Sequence, residues 1–460
     1  MKKVLVIGAG PVGFINALGL AYFGHQVTCF DRKTELIQSL QKGILDYKEA
    51  GLEEFFHEIQ SISWCDSEES LPATFDVAVI CVGTPQMQKK QDLEALNSAM
   101  RLIAKISERS TSLNLVVIRS TVLPGTTDSF AATLLPKKCK AVMMPEFLRE
   151  GQALNDFFNP DRVIAGVADD RIIPELKDLF CFPKRPPWVV TNPATAEFTK
   201  YASNALLAVQ ISTANELAGI AETIPQVDFL DTVKMLGMDS RWAEAPIMSY
   251  LSPGLGFGGA CLPKDLQALS QLAKQQKVPS GILQQVKTVN DSRIFHVAAE
   301  IQKRLQPSLN KKILVLGFSF KANTNDTRES KALELCTLLL KLGFSVMAHD
   351  PQAQSPIPEI EQIENWQPEV SKAAAIVIAT DWSEYRELEN LSLGSVFIFD
   401  CRRLLKPNKF EADLFWAPGL GPRTLLSQLE LLDQAANDRG VGLISPMREP
   451  LVHGLEPELL

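Results

Sequence analysis

Apolar residues alternate between two rhythms along this chain. Residues 3–7, KVLVI, are a continuous, β-branched apolar run, which predicts a strand covered on both faces in a parallel sheet. A helical pattern follows over about 14–23 and a second apolar run over 26–30. Strands are predicted again at 76–82 and 115–119, with helical segments between them. From 193 to about 224 the pattern is helical and rich in Ala, Leu and Glu. Further helices are predicted at 229–236 and, at greater length, 282–305. Strand rhythm resumes with KKILVLGF at 311, followed by a helix over 330–342 and strands at 345–349, 375–379 and 396–399.

This order predicts an α/β protein: two Rossmann-like doubly wound domains joined by a helical middle region with a long connecting helix. The expected divisions are 1–192, 193–306 and 307–416, with a C-terminal tail at 417–460. A length of 460 residues already calls for more than one core. With 46% apolar and 22% charged residues, the composition is that of a soluble globular protein. A net charge of −8 argues against nucleic acid or an anionic membrane as partner. The N-terminal MKK and the apolar run behind it imitate a signal peptide, but Gly8, Gly10 and Gly13 break that run. No stretch approaches the roughly 20 apolar residues of a membrane-spanning helix. The eight cysteines are scattered and form neither a C-x-x-C pair nor a Cys/His cluster. No metal site and a reducing, cytoplasmic location are therefore expected.

The turn after the first strand carries the first chemistry. Gly8, Gly10 and Gly13 form G-x-G-x-x-G between strand and helix, and the second strand ends at Asp31. The spacing predicts a dinucleotide site: a tight turn, a close approach for pyrophosphate, and close helix packing. Asp31 would accept from a ribose 2′-hydroxyl and repel a 2′-phosphate, so NAD is expected over its phosphorylated form. Thr84 and Thr121 follow the next two predicted strands, where ligands of such sheets bind.

Elsewhere the candidates stand further apart. The stretch GFGGACLPKD (256–265) places Cys261 behind three glycines and ahead of Lys264 and Asp265. A partly ionised thiol could attack a carbonyl there, and a small buried cysteine fits the same ten residues equally well. Lys200 and Asn204 are spaced i, i+4 on one helix face, lining a cleft or facing water. Glu146, Arg149 and Glu150 interleave with Phe147 and Leu148 in a predicted loop. Lys321 and Arg328 follow the first strand of the last domain, where basic groups suit phosphates.

Taken in order, GAGPVG, CVGTP, RSTVLPGTT, PEFLREG, the Lys200/Asn204 helix, GFGGACLPKD and GFSFKANTNDTRES resemble the nucleotide-sugar dehydrogenase family (UDP-glucose 6-dehydrogenase and GDP-mannose 6-dehydrogenase). The resemblance covers about residues 1–405. It implies a four-electron, NAD-dependent oxidation of a sugar C6 alcohol to a carboxylate through a thioester on Cys261. It further implies that Lys200 stabilises an oxyanion with Asn204 beside it, and that Thr121, Glu150 and Asp265 orient water or move protons. Val12, Asp31, Thr84, Thr121, Glu150, Lys264 and Arg328 are implied NAD contacts. Glu146, Phe147, Leu148, Arg149, Glu150, Lys200, Asn204, Tyr250, Leu251, Ser252, Pro253, Gly254, Gly258 and Lys321 are implied contacts of the nucleotide sugar. A homodimer through the middle helices is also implied, with Arg241 a candidate contact to a neighbouring subunit's nucleotide. UDP-glucose stands first as substrate and GDP-mannose second. A non-catalytic binding homologue and a single-step alcohol dehydrogenase are the competing readings.

Overall fold

The structure, a computed structural model, describes residues 1–421 apart from 46, 60, 88, 89, 241, 243–248 and 306–310, and only the backbone of 86, 87 and 90. Arg241 and residues 422–460, most of the expected tail, therefore lie outside the described residues.

The N-terminal unit runs β1 (Lys3–Ile7), α1 (Pro11–Tyr22), β2 (Gln26–Phe30), α2 (Thr34–Gln41), α3 (Leu52–Glu58), β3 (Ile62–Cys65) and β4 (Val77–Ile80). A small hairpin of β5 (Gln86–Met87) and β6 (Lys90–Gln91) leads to α4 (Glu94–Arg109), β7 (Leu115–Ile118), α5 (Thr126–Leu134) and β8 (Lys140–Met143). It closes with α6 (Ala153–Phe158), β9 (Val163–Gly166), α7 (Ile173–Leu179) and β10 (Trp188–Thr191). The strands form one eight-stranded sheet in the order β10-β9-β8-β7-β4-β1-β2-β3. Every neighbouring pair is parallel except β8 and β9. Central strands VAVI (β4) and LVVI (β7) are buried at every position, as helices on both faces require. Their two faces feed two separate apolar cores.

Among the described residues, four helices make the middle: α8 (Pro193–Ala221), α9 (Phe229–Leu236), α10 (Leu262–Gln275) and α11 (Gly281–Leu305). Pro193 sits in the first turn of α8, where its missing N–H loses nothing, and the Asn192 side chain caps that turn through Thr195 N at 2.8 Å. Helix α8 packs against both α10 and α11. The C-terminal unit comprises β11 (Lys312–Leu316), α12 (Lys331–Lys341), β12 (Ser345–His349), β13 (Glu361–Gln362), β14 (Ala375–Ile378), β15 (Phe397–Asp400) and β16 (Phe415–Trp416). Its six strands are all parallel, in the order β13-β12-β11-β14-β15-β16.

The predicted α/β architecture is therefore the observed one, two parallel-rich sheets around a helical middle. Residues 417–421, assigned to the tail from sequence, are built into the fold. Ala417 is fully buried, Gly419 N donates to Glu222 at 3.1 Å, and Leu420 bridges to Asp228. Among the described residues no helix is long and apolar enough to cross a membrane, and no cluster of His, Cys, Asp and Glu could hold a metal ion.

Candidate active site

At the carboxyl end of β1 the chain turns tightly at Gly8, whose φ is 99° and whose N–H donates to Phe30 O at 2.8 Å. Helix α1 then begins with Gly10 as N-cap and no capping side chain. A Cβ on Gly13 would lie 1.7 Å from Gly8 O, so only glycine lets α1 pack this closely on the turn. A Cβ on Gly10 would meet nothing within 4 Å. An uncapped helix N-terminus beside an open backbone is suited to pyrophosphate. Asp31 closes the site, with one carboxylate oxygen accepting from Ala9 N at 2.8 Å and the other from Lys33 N at 3.0 Å. Val12 packs its side chain against the core. Thr84 and Thr121 meet directly, the Thr84 hydroxyl donating to Thr121 O at 2.6 Å. Gln91 Nε2 donates to the same carbonyl at 2.8 Å and to the Tyr201 hydroxyl at 3.0 Å.

That tyrosine belongs to a buried stripe on α8: Glu197, Lys200, Tyr201, Asn204 and Ala208. The stripe faces the interior, which removes the solvated reading of Lys200 and Asn204. Glu197, wholly buried, accepts from Gly125 N at 2.6 Å, Thr127 N at 2.7 Å and Thr127 Oγ1 at 2.6 Å. It thereby fixes the 119–127 turn, which carries Thr121, to α8. Burial pushes its carboxyl up, against the donors from Thr127 and Gly125. Lys200 Nζ donates to Glu146 O at 2.7 Å, lies 3.2 Å from Glu146 Oε1, and sits 5.1 Å from the Phe147 ring centroid. Burial works against its charge more than any single neighbour supports it. The Glu146, Cys261 and Asp265 charges together win, raising the ammonium above its usual range. Asn204 Nδ2 donates to Asp265 Oδ2 at 2.6 Å.

Cys261 is the N-cap residue of α10 and is an exposed residue. The glycine loop before it is fixed by Asn290 of α11, which accepts from Phe257 N at 2.7 Å and donates to Phe257 O at 3.1 Å. On the other side Gly259 N donates to Arg328 O at 3.2 Å. Desolvation raises the Cys261 thiol; Lys200 opposes it most, Glu146 and Asp265 add to the rise, and Lys264 opposes. Lys264 Nζ is 2.5 Å from Asp265 Oδ1, so Asp265 holds Lys264 and Asn204 at once. Gly258 is closed on one side, where a Cβ would lie 2.1 Å from Glu329 O, and is otherwise partly exposed. Its bare side is filled by the C-terminal unit.

The loop between β8 and α6 completes the wall. Glu146 Oε2 accepts from Leu148 N at 2.6 Å. Glu150 is held by that C-terminal unit, its Oε1 accepting from Thr324 Oγ1 at 2.7 Å and its carbonyl from Lys321 Nζ. Burial, then Asp326, raise its carboxyl, while Thr324, Arg328 and Lys321 oppose. Arg328 is gripped by Asp326, with NH2 2.5 Å from Oδ2, yet still feels the charges of Glu150 and Cys261. Arg149 turns to Asp156 at 2.7 Å. Leu251 belongs to a small apolar core with Ala214, Ala218 and Phe229. Pro253 is buried, and Gly254 N donates to Asn215 at 2.7 Å. Tyr250 is partly exposed and Ser252 exposed. Sequence reasoning missed Glu197, Gln91 and Asn290. The spacing of Val286, Asn290, Arg293 and Val297 did carry a signal, a polar residue on an apolar stripe.

Three consecutive segments match the UDP-glucose/GDP-mannose dehydrogenase family: residues 2–182 its NAD binding domain, 194–292 its central domain and 314–407 its UDP binding domain. The chain is 34% identical over 423 residues to a UDP-glucose 6-dehydrogenase of Rickettsia prowazekii, covering 88% of this chain and 95% of that one. Its fold matches a UDP-glucose dehydrogenase from Pyrobaculum islandicum with a TM-score of 0.80 at 32% identity, over 90% of this chain and 98% of that one. A UDP-D-ManNAc dehydrogenase from Pyrococcus horikoshii matches with a TM-score of 0.79 at 26% identity, over 91% and 99%.

Proposed function

The chain belongs to the UDP-glucose/GDP-mannose dehydrogenase family, and we propose that it oxidises the C6 alcohol of UDP-glucose to the carboxylate, with Cys261 as covalent tether. It is an NAD-dependent nucleotide-sugar dehydrogenase; the sugar, the residue roles and the assembly are what is proposed. UDP-glucose is favoured because the relatives at 32% and 34% identity are named for it, while the UDP-D-ManNAc enzyme stands at 26%.

One observation carries the mechanism: buried Lys200 and the Asn204–Asp265–Lys264 chain lie on the wall that holds Cys261. NAD, when bound against the uncapped start of α1 and Asp31, supplies the acceptor for the hydride of each oxidation. In the first the C6 hydroxyl gives up its proton to solvent; the Cys261 thiolate then adds to the C6 aldehyde, forming a C–S bond and an alkoxide beside the Lys200 ammonium. Loss of the second hydride from C6 leaves a thioester. Water then adds to it, the C–S bond breaks, and the thiolate returns. Glu150, its carboxyl raised by burial, takes the water proton in this scheme, while Asp265 and Thr121 order the approach. Because desolvation raises the Cys261 thiol, the thiolate fraction and the rate grow as pH rises from neutral.

The exposed Leu206, Leu217 and Ile220 share one outer face of α8, and Phe295 is exposed on α11. These faces support a homodimer through the middle helices, which light scattering of the purified chain tests. For the reaction, NADH formation and product mass are followed with UDP-glucose, GDP-mannose and UDP-N-acetylmannosamine. Two NADH per sugar acid with UDP-glucose is expected, and Cys261→Ala should lower acid formation by about a thousandfold or more. Preference for either other sugar replaces the substrate. Acid formation by Cys261→Ala at the normal rate removes the tether.

A further inference from the structure

Arg119 follows β7 directly and opens the same RSTVLPGTT segment that supplies Thr121, but the scheme above does not use it. It is only 7% exposed, and its guanidinium lies 5.7 Å from the Phe180 ring centroid. Nε has no hydrogen-bond partner, and the side chain forms no ion pair among the described residues, although the charges of Cys81 and Glu146 act on it from further off. An unpaired cation at that depth is unfavourable unless something answers it. What it faces is a cavity of about 260 Å³, walled entirely by residues between 119 and 184 of the N-terminal unit. Neither the glycine turn at 8–13 nor the Cys261 loop contributes to that wall.

Arg162 and Lys184 also line the cavity, and neither makes an ion pair among the described residues. Two of the three carboxylates on the wall are already engaged, Glu146 by Lys200 and Asp156 by Arg149, which leaves exposed Asp161. Positive charge is therefore in excess, carried by forked guanidinium groups that match phosphate oxygens. The volume lies just below that of drug-sized small-molecule sites, which begin at roughly 300 Å³.

We infer that this cavity is a binding site for a phosphate-sized oxyanion, either free phosphate or the phosphoryl group of a small ester, held by Arg119, Arg162 and Lys184. The site borders the catalytic wall, sharing Glu146 and the Phe147 ring with it. The Arg162 guanidinium is 4.6 Å from the Phe147 centroid, and Lys200 Nζ is 5.1 Å from the same centroid. An anion that draws Arg162 away from the ring thus changes the surroundings of Lys200 without entering the cleft.

The test is a ³¹P line-broadening titration of the full chain with inorganic phosphate and, separately, glycerol phosphate, with and without saturating UDP. Saturable binding that UDP leaves unchanged is expected. It should weaken at least tenfold in Arg119→Gln and about threefold in each of the exposed variants Arg162→Gln and Lys184→Gln. Tighter binding of the ester identifies the phosphoryl source, and tighter binding of phosphate the free ion. No saturable binding, displacement by UDP, or affinity unchanged in the exposed variants overturns the site. A chain that oxidises no nucleotide sugar but binds phosphate through Arg162 leaves the site intact, so the two proposals fail separately.

Discussion

The two doubly wound units begin with the same device and put it to opposite uses. In each, a glycine at positive φ follows the first strand, Gly8 at 99° and Gly317 at 85°. Each glycine's N–H donates to the last residue of the second strand, at 2.8 Å to Phe30 O and 2.7 Å to His349 O. An aspartate comes next, Asp31 or Asp350, and accepts from the turn. In the N-terminal unit α1 starts three residues after the glycine, uncapped, and Asp31 takes only two backbone donors. In the C-terminal unit α12 waits until Lys331 and is capped by Ser330. Asp350 there accepts from the amides of 318, 319, 352 and 353, the Ser319 hydroxyl and the Trp382 indole. A short, unsatisfied turn leaves donors for a dinucleotide. The long, satisfied one becomes a rigid loop that reaches back through Lys321, Thr324 and Glu329 to grip Glu150 and Gly258.

The largest expected difference between the units is therefore in stability. Asp350→Ala strands several buried donors at about 1–3 kcal/mol each, so a total loss above about 3 kcal/mol is expected, with a sharply lower melting temperature. Asp31→Ala frees two donors near solvent and should lose about 1 kcal/mol, with its main effect on NAD affinity. Melting curves and NAD titrations of both variants check this. Equal losses in melting temperature would mean that the two aspartates do the same job.

Next in size is the contrast between two glycines. Gly258→Ala drives a Cβ toward the Glu329 carbonyl, 2.1 Å away, and must displace the loop or the Cys261 turn. A shift of about 1 Å at a reacting group lowers turnover roughly a hundredfold, while NAD affinity should stay within about twofold. Gly10→Ala meets open space, so the melting temperature should hold. NAD affinity should fall roughly tenfold, about 1.4 kcal/mol, if pyrophosphate is bound where the new methyl lies. If Gly258→Ala turns over normally, the contact with Glu329 is not what aims Cys261.

How far the sequence carried this contrast depends on the range of the interactions. Strands 3–7, 26–30 and 345–349 and helix 229–236 are found where their patterns put them, because strand and helix periods are local. Strands β8, β9 and β10 escaped notice: KAVM, VIAG and WVVT each carry a Lys, Gly or Thr at one end, where the predicted strands VAVI and LVVI are apolar throughout. The i, i+4 spacing put Lys200 and Asn204 on one face but could not say which way the face turned. That depended on packing against α10 and α11 and on a hydrogen bond between residues 61 positions apart. Gly258 shows the same limit. Local sequence shows that a side chain is missing, and only the fold shows that Glu329 O fills the direction a Cβ would take.

The smallest effect tests whether the second unit tunes the first or only holds it. Thr324 donates its hydroxyl to Glu150 Oε1 at 2.7 Å, and this bond lowers a carboxyl that burial and Asp326 raise. Thr324→Val keeps the shape and removes the donor, so the Glu150 carboxyl must rise further. If Glu150 accepts the proton of the hydrolytic water it acts as carboxylate, and a higher pKa reduces that form on the acid side. The acid limb of the rate profile for acid formation should then move to higher pH, while NAD affinity stays the same. A hydrogen bond to a charged acceptor is worth about 1.5–3 kcal/mol, and loss of part of it as stability would lower the melting temperature slightly. An acid limb that stays in place while the melting temperature drops would leave the loop as a clamp alone. An acid limb that moves would give the C-terminal unit a part in the chemistry as well as in the architecture.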